Sequence, residues 1–209
     1  MHDVGVDMKK DEISEVRLFF YEIVKESFQD EPDAALIDIF NQLVDNLKKN
    51  YEVKDEKVEF IIESFQTVLQ NLDLQKIKEE YNILFVDPFS NYLIHKNASF
   101  YIENKNFGNT LVKIRDFIWR LELFKSEDYF EPEDSVPFIS DVMIYLIDNE
   151  YAINVQYDFF TKFIAPLMEG LCTELKNSEM ANFYACVGLL MEFFIEMERN
   201  YLCDAIINA

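Results

Sequence analysis

Apolar residues recur along almost the whole chain at the three-and-four spacing that places them on one face of a helix. Ile13, Val16, Phe20, Ile23 and Val24 share a face while Glu12, Glu15, Glu22 and Glu26 take the opposite one, which predicts an amphipathic first helix. Asp33 stands where its carboxylate can cap a second helix carrying Leu36, Ile39, Phe40, Leu43 and Leu47. Val58, Ile61, Ile62, Phe65 and Leu69 make a third, and a fourth runs from about Leu74 to Phe85. The pattern then breaks from Val86 to about Asn106, where Asp87-Pro88 and scattered aromatics predict only short helical pieces. Phe107, Leu111, Ile114, Ile118 and Leu121 restore a stripe. After an acidic segment, Ile139, Val142, Met143 and Leu146 line a helix to about Asn149. Two long helices follow, about Asn154 to Lys176 and Ser178 to Leu202, the second with Phe183, Val187, Leu190, Phe194 and Met197 as its seam. No segment alternates with the period of a strand, so the expected fold is all-α, a single-domain helical bundle of about nine helices. No unit of roughly 20 to 50 residues repeats, which argues against a helical solenoid.

Composition adds a strong constraint on partners. With 40 acidic against 19 basic residues the formal net charge is −21, and half of the chain is hydrophobic. Such a surface repels phosphate backbones and anionic bilayers and attracts cations; it also serves simply to keep an aromatic-rich protein in solution. Nucleic acid and stable membrane insertion are therefore not expected. No Gly/Ser/Pro-rich linker divides residues 1–209, so one domain is expected. The first 15 residues are too polar for a signal peptide, and no apolar run approaches the roughly 18 residues that span a bilayer. These features, with Cys172, Cys186 and Cys203 unpaired in number and set in apolar helical pattern, predict a cytoplasmic protein without a structural disulfide.

Little in the chain offers catalysis. His2 and His95 lack a second ligand at helical spacing, and the cysteines form no Cys-x-x-Cys pair, so no metal site is expected. Four glycines, at positions 5, 108, 170 and 188, make no phosphate loop, and no cofactor is expected. Glu133 and Asp134 are neighbours on a polar loop and lack the separated environments that acid–base pairs need. The expectation is a protein that is not an enzyme.

The segment Tyr129-Phe130-Glu131-Pro132-Glu133-Asp134-Ser135 sets three carboxylates at the mouth of an apolar helix. Pro132 keeps its predecessor extended, Asp134 or Ser135 can accept from a free helix N–H, and Pro137 suits the first turn. A capped helix after an acidic loop and a loop that reads a cation are both open on these residues alone.

Glu80-Tyr81-Asn82-Ile83-Leu84-Phe85, then Asp87-Pro88-Phe89-Ser90-Asn91-Tyr92, and some forty residues later Glu131-Pro132-Glu133-Asp134, resemble in order the motifs of the TorD/DmsD family of cytoplasmic chaperones. Phe159 to Pro166 and Phe183-Tyr184 extend the likeness, which spans roughly residues 75–200. The chain departs from the family pattern at Ser135 and Phe163, where histidines are expected, at Leu167 in place of a tryptophan, and at Val86-Asp87-Pro88 in place of a Gly-Pro turn. The resemblance implies an all-α chaperone that binds the twin-arginine signal peptide of a molybdenum-containing oxidoreductase, and the client body as well, before export. It implies a monomer or a domain-swapped dimer; the length of the acidic loop at about 122–134 itself suits a hinge for exchanging helices. The candidate peptide-binding residues are then Leu84, Phe85, Pro88, Phe89, Ser90, Tyr92, Glu131, Glu133, Asp134 and Ser135, the carboxylates for the guanidinium groups and the aromatics for the apolar part. The alternative is a helical adaptor that holds an amphipathic helix of a partner subunit. For Trp119, off the main stripe of its helix, an inter-helix contact is expected.

Overall fold

The computed structural model describes residues 10–50 and 55–208; His2 and the polar stretch before residue 10 lie outside them. The helices are α1 (Lys10–Gln29), α2 (Ala34–Asn50), α3 (Glu56–Asn71), α4 (Leu74–Tyr81), α5 (Ala98–Glu103), α6 (Asn109–Arg120), α7 (Val136–Asp148), α8 (Ile153–Phe159), α9 (Ala165–Asn177) and α10 (Phe183–Ile207). A π-helical turn, Asn82–Val86, continues α4, and another, Phe160–Ile164, joins α8 to α9 without a break, so the described residues form nine continuous helices. Pro166 explains the second turn. It has no N–H to give and would crowd the carbonyl four residues back, and the widened turn just before it lets the helix run on. Asp33 caps α2 as expected, its carboxylate accepting from the Leu36 amide at 3.0 Å.

Helix α10 is the hub, packing on α9, α3, α8, α1 and α4. Its apolar residues surround it rather than forming one stripe, as befits a helix buried on several sides. Aromatic contacts lock the layers: Phe20 of α1 stacks on Phe194 at 4.9 Å, and Phe40 of α2 meets Phe65 of α3 at 4.9 Å and Phe183 at 5.0 Å. Glu80 ties α4 to the start of α10, its buried carboxylate accepting from the amides of Asn182, Phe183 and Tyr184 at 2.9, 3.2 and 2.8 Å. Those N–H groups would otherwise be orphans of the first helical turn. Cys172 and Cys186 are free and buried, and burial pushes both thiols up to about 12.

Two expectations fail at α6. Phe107 lies outside the stripe, 73% exposed, because Gly108 starts the helix and Phe107 takes a left-handed backbone with φ 55°. Trp119 is 69% exposed rather than held between helices. No helix among the described residues is long and apolar enough to cross a membrane.

Candidate functional site

The two motif-bearing loops meet. Beyond Pro88 the chain is tied back to the end of α4 by the Ile94 amide, which donates to the Leu84 carbonyl at 2.7 Å. At Asn97 it forms a short antiparallel bridge with Ser135: the Ala98 amide donates to the Asp134 carbonyl at 2.8 Å, and the Val136 amide to the Lys96 carbonyl at 2.9 Å. Residues 38 apart in sequence are thereby held side by side.

The bridge gives each residue of the acidic segment its own contacts. Ser135 caps α7, its hydroxyl oxygen accepting from the Phe138 amide at 3.4 Å, with Pro137 in the first turn. Asp134, expected to cap α7 or to meet a ligand, is fully buried and leaves the capping to Ser135. Its carboxylate reaches across the bridge to the start of α5, accepting from the Ser99 amide and the Asn97 side-chain amide at 3.1 Å each and closely from the Ser99 hydroxyl. Glu133 takes a two-pronged grip from Arg115 of α6, whose Nε and Nη2 donate at 3.0 and 2.9 Å. Burial resists its ionisation, but the guanidinium outweighs that and holds the carboxyl below its usual range. Glu131 is half-buried, and its backbone carbonyl accepts from Lys125 at 2.5 Å.

The aromatic residues divide as well. Leu84 is fully buried in the core, so it supports the wall and offers no surface to a ligand. Phe85 is half-buried among Phe28, Tyr81 and Tyr184, with ring centroids at 5.5, 5.3 and 4.9 Å. Pro88, Phe89, Ser90 and Tyr92 lie on a tight turn in which the Ser90 amide donates to the Asp87 carbonyl and the Phe89 amide to the Asp87 carboxylate. That turn projects Phe89 into solvent, 92% exposed, with Pro88 exposed beside it, while the Ser90 hydroxyl oxygen accepts from the Tyr92 amide.

Between the aromatic and acidic walls rests Lys96, a residue the sequence did not single out. Its ammonium donates to the Phe28 carbonyl at 2.9 Å and the Tyr81 hydroxyl at 3.2 Å, and lies 5.4 and 6.0 Å from the ring centroids of Tyr81 and Phe85. Burial lowers its pKa against the opposing pull of Glu131 and Asp30. Tyr129, beside the same two carboxylates, has a buried hydroxyl with no hydrogen-bond partner, and desolvation followed by Asp141, Glu131 and Asp30 pushes its pKa up. The site is thus a cation cradle formed by the Phe28 carbonyl, the Tyr81 hydroxyl and the rings of Tyr81 and Phe85, in the electrostatic field of Asp30 and Glu131. Only Phe85 and Glu131 were legible as candidates, because the rest come from separate elements with no spacing to mark them. No cluster of three His, Cys, Asp or Glu side chains suited to a metal occurs among the described residues.

The sequence model of the family described as nitrate reductase delta subunit matches residues 52–173, more than half of the chain and both loops of the site. No curated protein matches. A crystal structure provisionally assigned as a redox enzyme maturation protein from Archaeoglobus fulgidus aligns with a TM-score of 0.48 and 16% identity over 94% of this chain and 99% of that one. On the family match, with its TorD-like motifs at Leu84–Tyr92 and Glu131–Asp134, the chain belongs to the nitrate reductase delta subunit family, that is, to the TorD/DmsD group of redox-enzyme maturation chaperones.

Proposed function

We infer that this chaperone binds the twin-arginine signal peptide of a molybdenum-containing oxidoreductase in the cytoplasm and assists its maturation before export. The observation that carries the reading is the cradle itself: aromatic rings, a tyrosine hydroxyl and a backbone carbonyl converge, in the field of Asp30 and Glu131, on a place where a positive charge already rests, on Lys96. A guanidinium suits such a place better than an ammonium, since it stacks flat on a ring while its fork engages carboxylates. Exposed ion pairs contribute only about 0–1 kcal/mol each against the ~8 kcal/mol of a micromolar complex, so apolar contacts to Phe85, Phe89 and Tyr92 must supply most of the affinity. The strongly exposed Trp119, Phe124 and Phe130 offer further contact for the client body.

Calorimetry with a paired-arginine leader tests the reading. Replacing Glu131 and Glu133 together by glutamine should weaken binding about tenfold or more, roughly 1.4 kcal/mol per decade. Equal affinity of the double variant would sink this site. Asp134 is left out of the test because its loss would damage the fold.

A cleft of about 390 Å³ between α3 and α10 favours the adaptor reading as well. Phe60, 56% exposed, and Phe193 line it, and the Lys57–Glu196 ion pair rims it, a combination that fits an amphipathic helix. Under that reading glutamine in place of the ligand's arginines leaves affinity intact, and Phe60→Ser abolishes it.

A further inference from the structure

Two cations of the protein's own lie on the walls of the peptide site, and they are held in different ways. Arg115 approaches Glu133 from α6 with both prongs of its guanidinium, the geometry a ligand arginine would use. Its side chain is 54% exposed while that of Glu133 is 13% exposed, so the carboxylate is fixed and the arginine is free to leave. Lys96 has its backbone pinned by the Val136 amide, but its head group is held only by the Phe28 carbonyl, the Tyr81 hydroxyl and two ring faces. Either head can be withdrawn by side-chain rotation with the bridge left intact. Neither contact resembles the buried ion pair of Arg17 and Glu198, where both partners are almost wholly enclosed.

We propose that Lys96 and Arg115 are built-in stand-ins for the paired arginines of the ligand, filling the two cation positions beside the bridged loops until a peptide's guanidinium groups replace them. The proposal rests on the leader-binding reading above and assigns it a gate. Glu133 and the ring-and-carbonyl seat of Lys96 stay occupied by cations without a ligand, and a peptide is admitted only if it presents two charges to exchange. A single cation leaves one stand-in in place. Discrimination against the many lone lysines and arginines of other proteins follows from that requirement.

The test uses the full chain and a synthetic leader with two adjacent arginines before an apolar stretch. Lys96→Met and Arg115→Met keep the aliphatic stems and remove the charges, and Lys162→Met, in the turn that joins α8 to α9, makes the same change in net charge elsewhere. Calorimetry should show each of the first two binding about fivefold to tenfold tighter than the unaltered protein, with the Lys162 variant within about twofold. Arg115 is exposed, so its variant remains interpretable even if Lys96→Met melts early. As a second readout, amine acylation mapped by mass spectrometry should label Lys96 faster when peptide saturates the protein. Unchanged or weaker binding by both variants, or protection of Lys96 by the peptide, overturns the gate while leaving the leader reading standing. Absence of binding to every form, the unaltered protein included, removes both.

Discussion

Removing the Asp134 side chain leaves three donors without an acceptor, the Ser99 amide, the Ser99 hydroxyl and the Asn97 side-chain amide. Stranding donors that served a buried carboxylate costs about 2–3 kcal/mol, so Asp134→Ala should lower the urea midpoint by a corresponding amount. Its effect on the paired-arginine peptide should be small once folding is corrected for, the opposite of the Glu131 and Glu133 pair. Glu103 acts in the same region through pH. The Thr110 side chain, together with the Thr110 and Asn109 amides at the start of α6, outweighs desolvation and holds its carboxyl down at about 2, against an ordinary 4.5. A lowered folded value means that its stabilisation is complete above the unfolded value and is lost as pH falls from 4.5 towards 2. Glu103→Gln should therefore flatten the acid limb of the stability curve in that window, as followed by circular dichroism, while changing little of its slope near neutrality.

At the scale of elements, α5 and α9 approach each other at Gly170. A Cβ there would lie 2.2 Å from Cδ1 of Tyr101, so the ring would have to move. Tyr101 is not free to do so cheaply, because its hydroxyl lies 2.9 Å from both the His95 carbonyl and Glu174. Gly170→Ala should cost about 1–3 kcal/mol in denaturant unfolding and disturb the loop that carries Lys96. The helices themselves were largely legible, since the spacing of Val58, Ile61 and Phe65 or of Ile139, Val142, Met143 and Leu146 reports a buried face directly. Phe107 misleads because periodicity extends back to a residue whose backbone has not yet entered the helix. Trp119 misled because size alone does not say which neighbour covers a ring. For the site, the acidic and aromatic segments were readable as composition and order. Which carboxylate faces solvent was not, since that depends on the Asn97–Ser135 bridge, a contact no local pattern encodes.

The whole bundle is braced by one enclosed polar knot. Arg17 of α1 donates to Glu198 of α10 at 2.7 and 2.8 Å and to Gln156 of α8 at 2.8 Å, and its guanidinium sits 4.7 Å from the Tyr201 ring centroid. Tyr21 adds its hydroxyl to the same carboxylate at 3.0 Å. Arg17→Met strands the Glu198 charge and should cost about 3–5 kcal/mol, whereas Arg17→Met with Glu198→Leu should recover much of that loss. A double-mutant cycle in urea checks it. The short pairing of Asn97 with Ser135 has a different kind of consequence at this scale. Because the amides of Ala98 and Val136 close it from opposite strands, their exchange with deuterated solvent reports one opening event in two distant peptides. A client that clamps the two loops together would slow both amides in step, giving a spectroscopic clock for chaperone engagement that requires no label on the client.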